Sequence, residues 1–223
     1  MVDPIIIAGA PRSGTSMTAG ILAAHGVAVG QHRPHPKFNP KGSFENVQMK
    51  AVLHGEIKRN KMPLNPVAAF PTEPRIPGIV DKLRECVRPK EGQPWLVKET
   101  KLLWFFENLY REAPDALWVL PVRPKADAVA SMMRHAILPS RMRDAIVRER
   151  LSGVTPEDAA GMYWEKCRAR QSEIAERARV VWFDTHAAAS GDLAGVEDLL
   201  RAAGLPVDYD AVDGFIERKF WHA

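Results

Sequence analysis

The sequence is short of cysteine and of long apolar segments, and each shortage excludes a class of protein. Its 223 residues include two cysteines, Cys86 and Cys167, which lie far apart and form no CxxC pair. We therefore expect neither a disulfide framework nor a zinc site, and we expect a reducing, cytoplasmic location. No segment approaches the roughly 20 apolar residues that a membrane helix needs, so no membrane span is expected. The apolar run Ile5–Ile7 has no basic stretch before it, so no signal peptide is expected either.

A strong excess of one charge is also missing. The formal net charge is +4 at pH 7, and 26% of the residues are charged. This balance is too weakly basic to predict nucleic-acid binding, but it suits a small polyanionic ligand. The hydrophobic fraction of 46% is ordinary for a globular protein, and the length fits one domain over residues 1–223.

Apolar stretches typical of strands alternate with stretches typical of helices. Strands are expected at residues 4–9, 95–99, 116–123 and 179–184, and a short one at 27–29. Strands separated by helices predict an α/β fold with three layers, in which a parallel sheet of about four to five strands has helices on both faces. Ligands bind such sheets at the carboxyl ends of the strands, where the candidate functional residues should therefore lie.

The expected helices lie mostly between these strands. They are predicted at residues 14–25, 44–58, 79–87 and 102–111, from 124 onward, at 140–178 with a break near 153, and at 193–203. Two segments, 31–43 and the proline-rich stretch 62–77, are expected to be irregular.

A glycine-rich loop joins the first strand to the first helix. It runs from Gly9 to Ser16 and has the GxxxxG spacing of a phosphate-binding loop, whose backbone N–H groups surround phosphate oxygens. Loops that bind nucleoside triphosphates have lysine after the second glycine, where this sequence has Thr15. The cation inside the loop is Arg12, and its guanidinium suits a terminal oxyanion beside a 5′-phosphate.

The loop resembles the 5′-phosphosulfate-binding loop of sulfotransferases that use 3′-phosphoadenosine-5′-phosphosulfate (PAPS), enzymes with a fold like that of the P-loop kinases. The stretch NPKGSFEN at residues 39–46 is similar to NPKGYFED in a group of bacterial sulfotransferases. The resemblance implies that the loop residues hold the 5′-phosphosulfate. These residues are Pro11, Arg12, Ser13, Gly14, Thr15 and Ser16.

A second nucleotide-binding segment is implied by the same resemblance. Arg123 ends the third long strand and Ser131 follows eight residues later in a helix, the spacing with which relatives hold the 3′-phosphate of PAPS. A charged fork and a hydroxyl are suitable donors to phosphate. The alternative is that Arg123 pairs with Asp127 and that Ser131 lies on a helix surface.

The sequence departs from its relatives at two places. Several relatives have a tryptophan after the loop hydroxyls to stack on adenine, where this chain has Met17. The RKGxxG segment of the cytosolic relatives is absent, and only Arg218 and Lys219 are basic in that region. The sequence therefore does not predict how the adenine and the far side of the 3′-phosphate are held.

The resemblance implies in-line transfer of a sulfuryl group from PAPS to a hydroxyl or amine, without a metal. Arg12 and Lys98 are the expected catalytic cations and Glu45 the expected general base. Lys98 could instead extend its ammonium group to solvent, and Glu45 could be an acid in the first helical turn that interacts with the helix dipole. His32 and His35 are the alternative bases.

Two other functions are open at this point. The stretch Val180–Asp184 resembles the strand that carries the metal-binding aspartate of a P-loop kinase or NTPase, although Thr15 in place of lysine argues against that chemistry. A nucleotide-binding protein without catalysis is the other alternative.

The acceptor is not identified, because a sugar, lipid, peptide or small phenol would all be compatible. Segments 31–43 and 62–77 are expected to shape its site.

Overall fold

A parallel β-sheet forms the centre of the fold. The structure is a computed structural model, and it describes residues 2–32, 42–63, 65–68 and 70–216. The strands of the sheet are β1 (Ile5–Ile7), β2 (Leu96–Lys98), β3 (Leu117–Val122) and β4 (Val180–Asp184). Their order is β2-β1-β3-β4, and every neighbouring pair is parallel. The predicted parallel sheet is therefore confirmed.

The short strand predicted at residues 27–29 is reduced to a single bridge beside β2. The Ala28 N–H donates to the carbonyl oxygen of Pro94 at 2.9 Å, and the Leu96 N–H donates to the Ala28 oxygen at 2.8 Å. Gly26 and Gly30 flank the bridge with φ values of 86° and 64°. These left-handed residues turn the chain at both ends, so pairing cannot continue.

Helices cover both faces of the sheet. In chain order they are α1 (Thr15–Ala24), α2 (Val47–Arg59), α3 (Ile79–Val87), α4 (Phe106–Glu112), α5 (Lys125–Met133), α6 (Leu138–Glu149), α7 (Pro156–Ala175), α8 (Thr185–Ala189), α9 (Ala194–Ala202) and α10 (Tyr209–Phe215), with a 3₁₀ helix at Thr100–Phe105. Ile6 points to the face covered by α2 to α7, whereas Ile5 and Ile7 point to the face covered by α1, α9 and α10. This arrangement confirms the three-layer α/β prediction.

Several predicted helix boundaries differ from those observed. Helix α2 starts at Val47 rather than at residue 44, because the Asn46 side chain accepts the first free N–H groups, those of Gln48 and Met49. Pro124 is the N-cap of α5 rather than its first residue. The break predicted near residue 153 is confirmed, because left-handed Gly153 lies between α6 and α7, but α6 begins earlier than predicted, at Leu138.

A buried glutamine joins two strand ends at the carboxyl edge of the sheet. Gln171 of α7 is 1% exposed, and its Nε2 donates to the carbonyl oxygens of Ala8 at 2.9 Å and Pro121 at 3.2 Å. Buried carbonyl oxygens need such donors, because water cannot reach them. Helix α7 therefore holds the ends of β1 and β3 in a fixed relation.

Gln171→Leu is expected to destabilise the protein by about 1–3 kcal/mol, because it leaves two buried carbonyl oxygens without this donor. Urea denaturation followed by circular dichroism would measure the change in the free energy of unfolding. The matched control is Gln48→Leu at an exposed position of α2, where the same substitution should have little effect. Equal stability of the two variants would show that the bonds from Gln171 do not stabilise the fold.

Candidate functional site

The glycine-rich loop follows β1 and leads directly into α1. Gly14 has φ 86°, and a Cβ there would lie 2.5 Å from Cγ2 of Thr185, so both backbone conformation and space require glycine. The Ser13 hydroxyl donates to the Ala10 carbonyl oxygen at 2.7 Å, which closes the turn. The N-cap of α1 is Gly14, which has no side chain to accept the first N–H groups of the helix. These N–H groups are suited to bind an anion, and anion binding by this loop stays a prediction.

Thr185, which the sequence analysis did not single out, connects the loop to the neighbouring strand. Its buried Oγ1 lies 2.8 Å from the carbonyl oxygen of Val122 and 3.1 Å from that of Ser13. The expectation that functional residues follow the strands pointed to this segment, because Thr185 comes directly after β4. It could not show that the hydroxyl contacts the loop.

Asp184 caps a helix. Its Oδ1 accepts the N–H groups of His186 and Ala187, both at 2.9 Å, at the start of α8. This role differs from the metal-binding role that a kinase would give to Asp184.

Within residues 2–32, 42–63, 65–68 and 70–216, no three His, Cys, Asp or Glu side chains are grouped to hold a metal ion. No helix in those ranges is both long and apolar enough to cross a membrane.

The predicted phosphate-binding side chains of the loop and of α5 lie together. Arg12 Nε donates to the Ser131 hydroxyl at 3.0 Å, and Arg123 Nη1 donates to the Arg12 carbonyl oxygen at 3.4 Å. Arg12 has φ 67°, a left-handed conformation that is uncommon outside glycine and recurs at functional sites. The contacts bring the loop, the end of β3 and α5 to one place.

Neighbouring charges of both signs act on these arginines. Burial and the charges of Arg123 and Arg134 lower the pKa of Arg12. Burial also lowers the pKa of Arg123, while the charge of Asp127 acts to raise it. Asp127 Oδ2 also lies 3.6 Å from Nδ1 of His186, and because the charge of Asp127 acts on Arg123 as well, the alternative pairing stays a prediction.

Lys98 lies at the end of β2 and connects three segments. Its Nζ donates to the Ser43 carbonyl oxygen at 2.7 Å, to Ser16 Oγ at 3.2 Å and to Glu45 Oε1 at 3.3 Å. Lys98 is 3% exposed, so the alternative in which its ammonium group extends to solvent is wrong. Burial lowers the pKa of Lys98, and the negative charge of Glu45 counteracts this effect.

Glu45 forms ion pairs with two lysines. Its Oε1 contacts Lys98, and its Oε2 lies 2.9 Å from Nζ of Lys50, a residue that the sequence analysis did not single out. Burial alone would raise the pKa of Glu45, but the charges of Lys98 and then Lys50 lower it to about 2. The carboxyl group is therefore ionised at neutral pH.

Glu45 is positioned by the residue that follows it. It precedes the N-cap Asn46, so the alternative that placed Glu45 inside the first helical turn is wrong. The Nδ2 group of Asn46 donates to the carbonyl oxygens of Val29 at 3.2 Å and Cys86 at 3.0 Å. The Oδ1 atom of the same side chain caps α2, so both ends of the Asn46 amide group are hydrogen-bonded. The neighbouring Glu45 is thereby fixed beside Lys98.

One alternative base, His32, and Met17, at the position where relatives have the adenine-stacking tryptophan, are held by other contacts. His32 stacks on Phe44 at 4.9 Å between ring centroids, and its Nδ1 lies 3.3 Å from the Gly30 carbonyl oxygen. Met17 is 1% exposed and packs in the core, so its side chain does not face a ligand. Outside the described residues lie His35, the stretch 39–41, Arg218 and Lys219.

Comparisons with known proteins identify the family and support the fold. The model of the Sulfotransferase family matches residues 4–208. No curated protein matches the chain. The solved sulfotransferase domain from the curacin biosynthetic pathway is 12% identical with a TM-score of 0.56, over 95% of this chain and 77% of that chain. Sulfotransferase STF1 from Mycobacterium tuberculosis H37Rv is 16% identical with a TM-score of 0.42, over 97% and 71%. At such identities the curacin domain supports the fold alone.

Lys98→Met is expected to raise the pKa of Glu45 from about 2, because the buried carboxylate loses its larger counter-charge and a hydrogen bond. The carboxyl carbon chemical shift of Glu45, followed by NMR during an acid titration, would measure the change. Lys50→Met is the matched control, and it should raise the pKa less because the Lys50 side chain is 44% exposed. An unchanged Glu45 pKa in Lys98→Met would show that the charge of Lys98 does not lower the pKa of Glu45.

Proposed function

The chain belongs to the sulfotransferase family and catalyses sulfuryl transfer, and we propose that it takes the sulfuryl group from PAPS and passes it to a hydroxyl or amine of its acceptor. Members of the family generally use PAPS. The observation that carries the proposal is the contact of Lys98 with both the loop hydroxyl of Ser16 and the carboxylate of Glu45. One cation thereby joins the candidate donor-binding loop to the candidate base.

The loop and the arginines fit the two charged ends of such a donor. The uncapped N–H groups at the start of α1 fit the 5′-phosphosulfate, together with the loop residues Pro11 to Ser16. Arg123 and Ser131 fit the 3′-phosphate. Arg12 lies in the loop and donates a hydrogen bond to Ser131, so it is adjacent to the proposed sites of the 5′-phosphosulfate and of the 3′-phosphate. Bound PAPS would supply a sulfuryl group activated by its anhydride bond to phosphate.

Lys98 and Arg12 act on the charge that develops during the transfer. The bond between sulfur and the bridging oxygen breaks while a bond between sulfur and the acceptor oxygen or nitrogen forms. The leaving phosphate then gains negative charge, which a buried ammonium group stabilises strongly because little water screens it. Lys98 is already held by three acceptors, so little reorganisation is needed to present its charge.

Glu45 accepts the proton of the acceptor. A pKa of about 2 keeps its carboxylate ionised, but it also makes the group a weak base toward a free hydroxyl. The acceptor oxygen becomes strongly acidic only once it has begun to bond to sulfur. We therefore infer that the proton moves to Glu45 late, after the new bond has started to form.

Arg123→Ala is expected to weaken binding of the product 3′-phosphoadenosine-5′-phosphate (PAP) by about 1.5–3 kcal/mol, because a charged hydrogen bond to the 3′-phosphate is lost. Adenosine 5′-phosphosulfate has no 3′-phosphate, so its affinity should change much less. Isothermal titration calorimetry with both ligands would measure the difference. Equal losses for the two ligands would show that Arg123 does not contact the 3′-phosphate.

Glu45→Gln is expected to lower turnover by about 10²–10⁴, because glutamine keeps the shape and a hydrogen-bond acceptor but cannot take a proton. PAP affinity should change little. Release of PAP from PAPS, with a screened acceptor or with water as a proxy, would measure turnover. Exposed Glu91→Gln is the matched control and should keep native activity. Near-native transfer by Glu45→Gln would exclude Glu45 as the base and favour His32 or His35.

A further inference from the structure

Helix α10 reaches the stretch of chain that carries the candidate base. We propose that Phe215 of α10 is a positioning residue for Glu45, because its ring joins Phe44, the residue before Glu45, to helix α1. The inference rests on the proposed function, in which Glu45 accepts the proton of the acceptor. Helix α10 lies outside residues 4–208, which the family model matches, so the family assignment does not account for this contact.

Phe44 has a backbone conformation that its surroundings must enforce. Its φ is 54°, in the left-handed region, which makes it an outlier for a residue with a bulky side chain. Such a conformation persists only where other contacts hold it. Phe44 lies between Ser43, whose carbonyl oxygen accepts from Lys98, and Glu45, whose carboxylate pairs with Lys98. A relaxation of the Phe44 backbone would therefore change how both groups meet the Lys98 ammonium.

Two aromatic rings contact the side chain of Phe44. The His32 ring stacks on it with 4.9 Å between centroids, and the Phe215 ring is tilted against it at 5.6 Å. His32 comes from the chain that precedes Phe44, whereas Phe215 comes from α10, a separate element of the fold. Phe215 therefore ties Phe44 to a part of the structure that does not move with the acceptor-side segment.

Helix α10 is docked on α1 and on the core beside it. At its start, the Asp208 N–H donates to Nε2 of His25 at 3.2 Å, and in its middle Val212 is fully buried. At its end, the Phe215 ring lies on Gly20 of α1, where a Cβ atom would be 1.8 Å from Cζ of the ring. The ring thus occupies space that only glycine leaves open. This fit connects Phe44 to the helix that follows the candidate donor-binding loop.

The test is Phe215→Ala, which removes the ring and keeps a good helix former. Turnover of PAPS, with a screened acceptor or with water, should fall about 10–100-fold, because a small displacement of a reacting group is costly. The KM for PAPS and the affinity for PAP should stay within about twofold of wild type, because the donor-binding residues keep their contacts. Release of PAP would measure turnover, and isothermal titration calorimetry would measure affinity.

The pKa of Glu45 is a second readout, which a merely structural role of Phe215 would not move. In Phe215→Ala it should rise from about 2, because the carboxylate is held less closely to Lys98. The carboxyl carbon shift of Glu45 in an NMR acid titration would measure it. Phe215→Leu fills part of the space and should recover part of the turnover. Tyr209→Ala removes an exposed ring from the same helix and is the matched control, which should change neither quantity.

A substitution on the opposite side of the contact tests the fit itself. Gly20→Ala should lower turnover as Phe215→Ala does, because its Cβ takes the place of the ring. In the double variant the ring is absent, so alanine fits and, as the better helix former, should make the protein more stable than Phe215→Ala alone. The loss of turnover should then be no greater than in either single variant. Additive losses would show that the two residues act independently.

The outcomes separate the inference from the proposed function. Wild-type turnover or a wild-type Glu45 pKa in Phe215→Ala would overturn the inference and leave the proposed function intact. Equal losses of turnover and PAP affinity would assign Phe215 a general structural effect. Near-native transfer by Glu45→Gln would contradict the proposed function itself. Circular dichroism would confirm folding, and Phe215→Leu would take the place of Phe215→Ala if the latter failed to fold.

Discussion

An ammonium group buried at the end of a strand must have its charge and its hydrogen bonds satisfied, and this requirement organises the site around Lys98. Its three partners come from the start of α1, from the chain before α2 and from the carboxylate of Glu45. Leaving one partner of such a buried ion pair alone would be costly, so the three segments are held together. The candidate donor-binding loop and the candidate base therefore have a fixed relation in the protein alone.

The site has two parts, one around Lys98 and Glu45 and one around Arg12 and Arg123, and their charges are balanced in different ways. Around Lys98 and Glu45 the protein supplies both signs of charge, and the ion pairs are internal. Around Arg12 and Arg123 positive charge is in excess, and Asp127 interacts with it only in part. The charges around Lys98 and Glu45 thus balance one another within the protein, whereas a bound anion would balance the charges of Arg12 and Arg123.

Much of the fold follows from the sequence, because buried parallel strands are apolar on both faces and the glycine spacing of a phosphate loop is local. The contacts of Gln171 and Thr185 did not follow, since each side chain satisfies carbonyl groups far away in the chain. The start of α2 was placed too early for a different reason. Asn is a common N-cap residue, and Asn46 accepts the N–H groups of Gln48 and Met49, a local signal that the expected boundary did not use.

The anchoring of Asn46 separates two kinds of evolutionary change. Its amide group ties the chain that precedes α2 to Val29, on the other side of residues 31–45, and to the end of α3. Changes within residues 31–42 need not displace Glu45, because Asn46 holds it from its C-terminal side and the Ser43 carbonyl oxygen accepts a hydrogen bond from Lys98 on its N-terminal side. The segment expected to shape the acceptor site can therefore vary while the proposed proton acceptor stays in place. This makes the segment a suitable region in which to engineer new acceptor preferences.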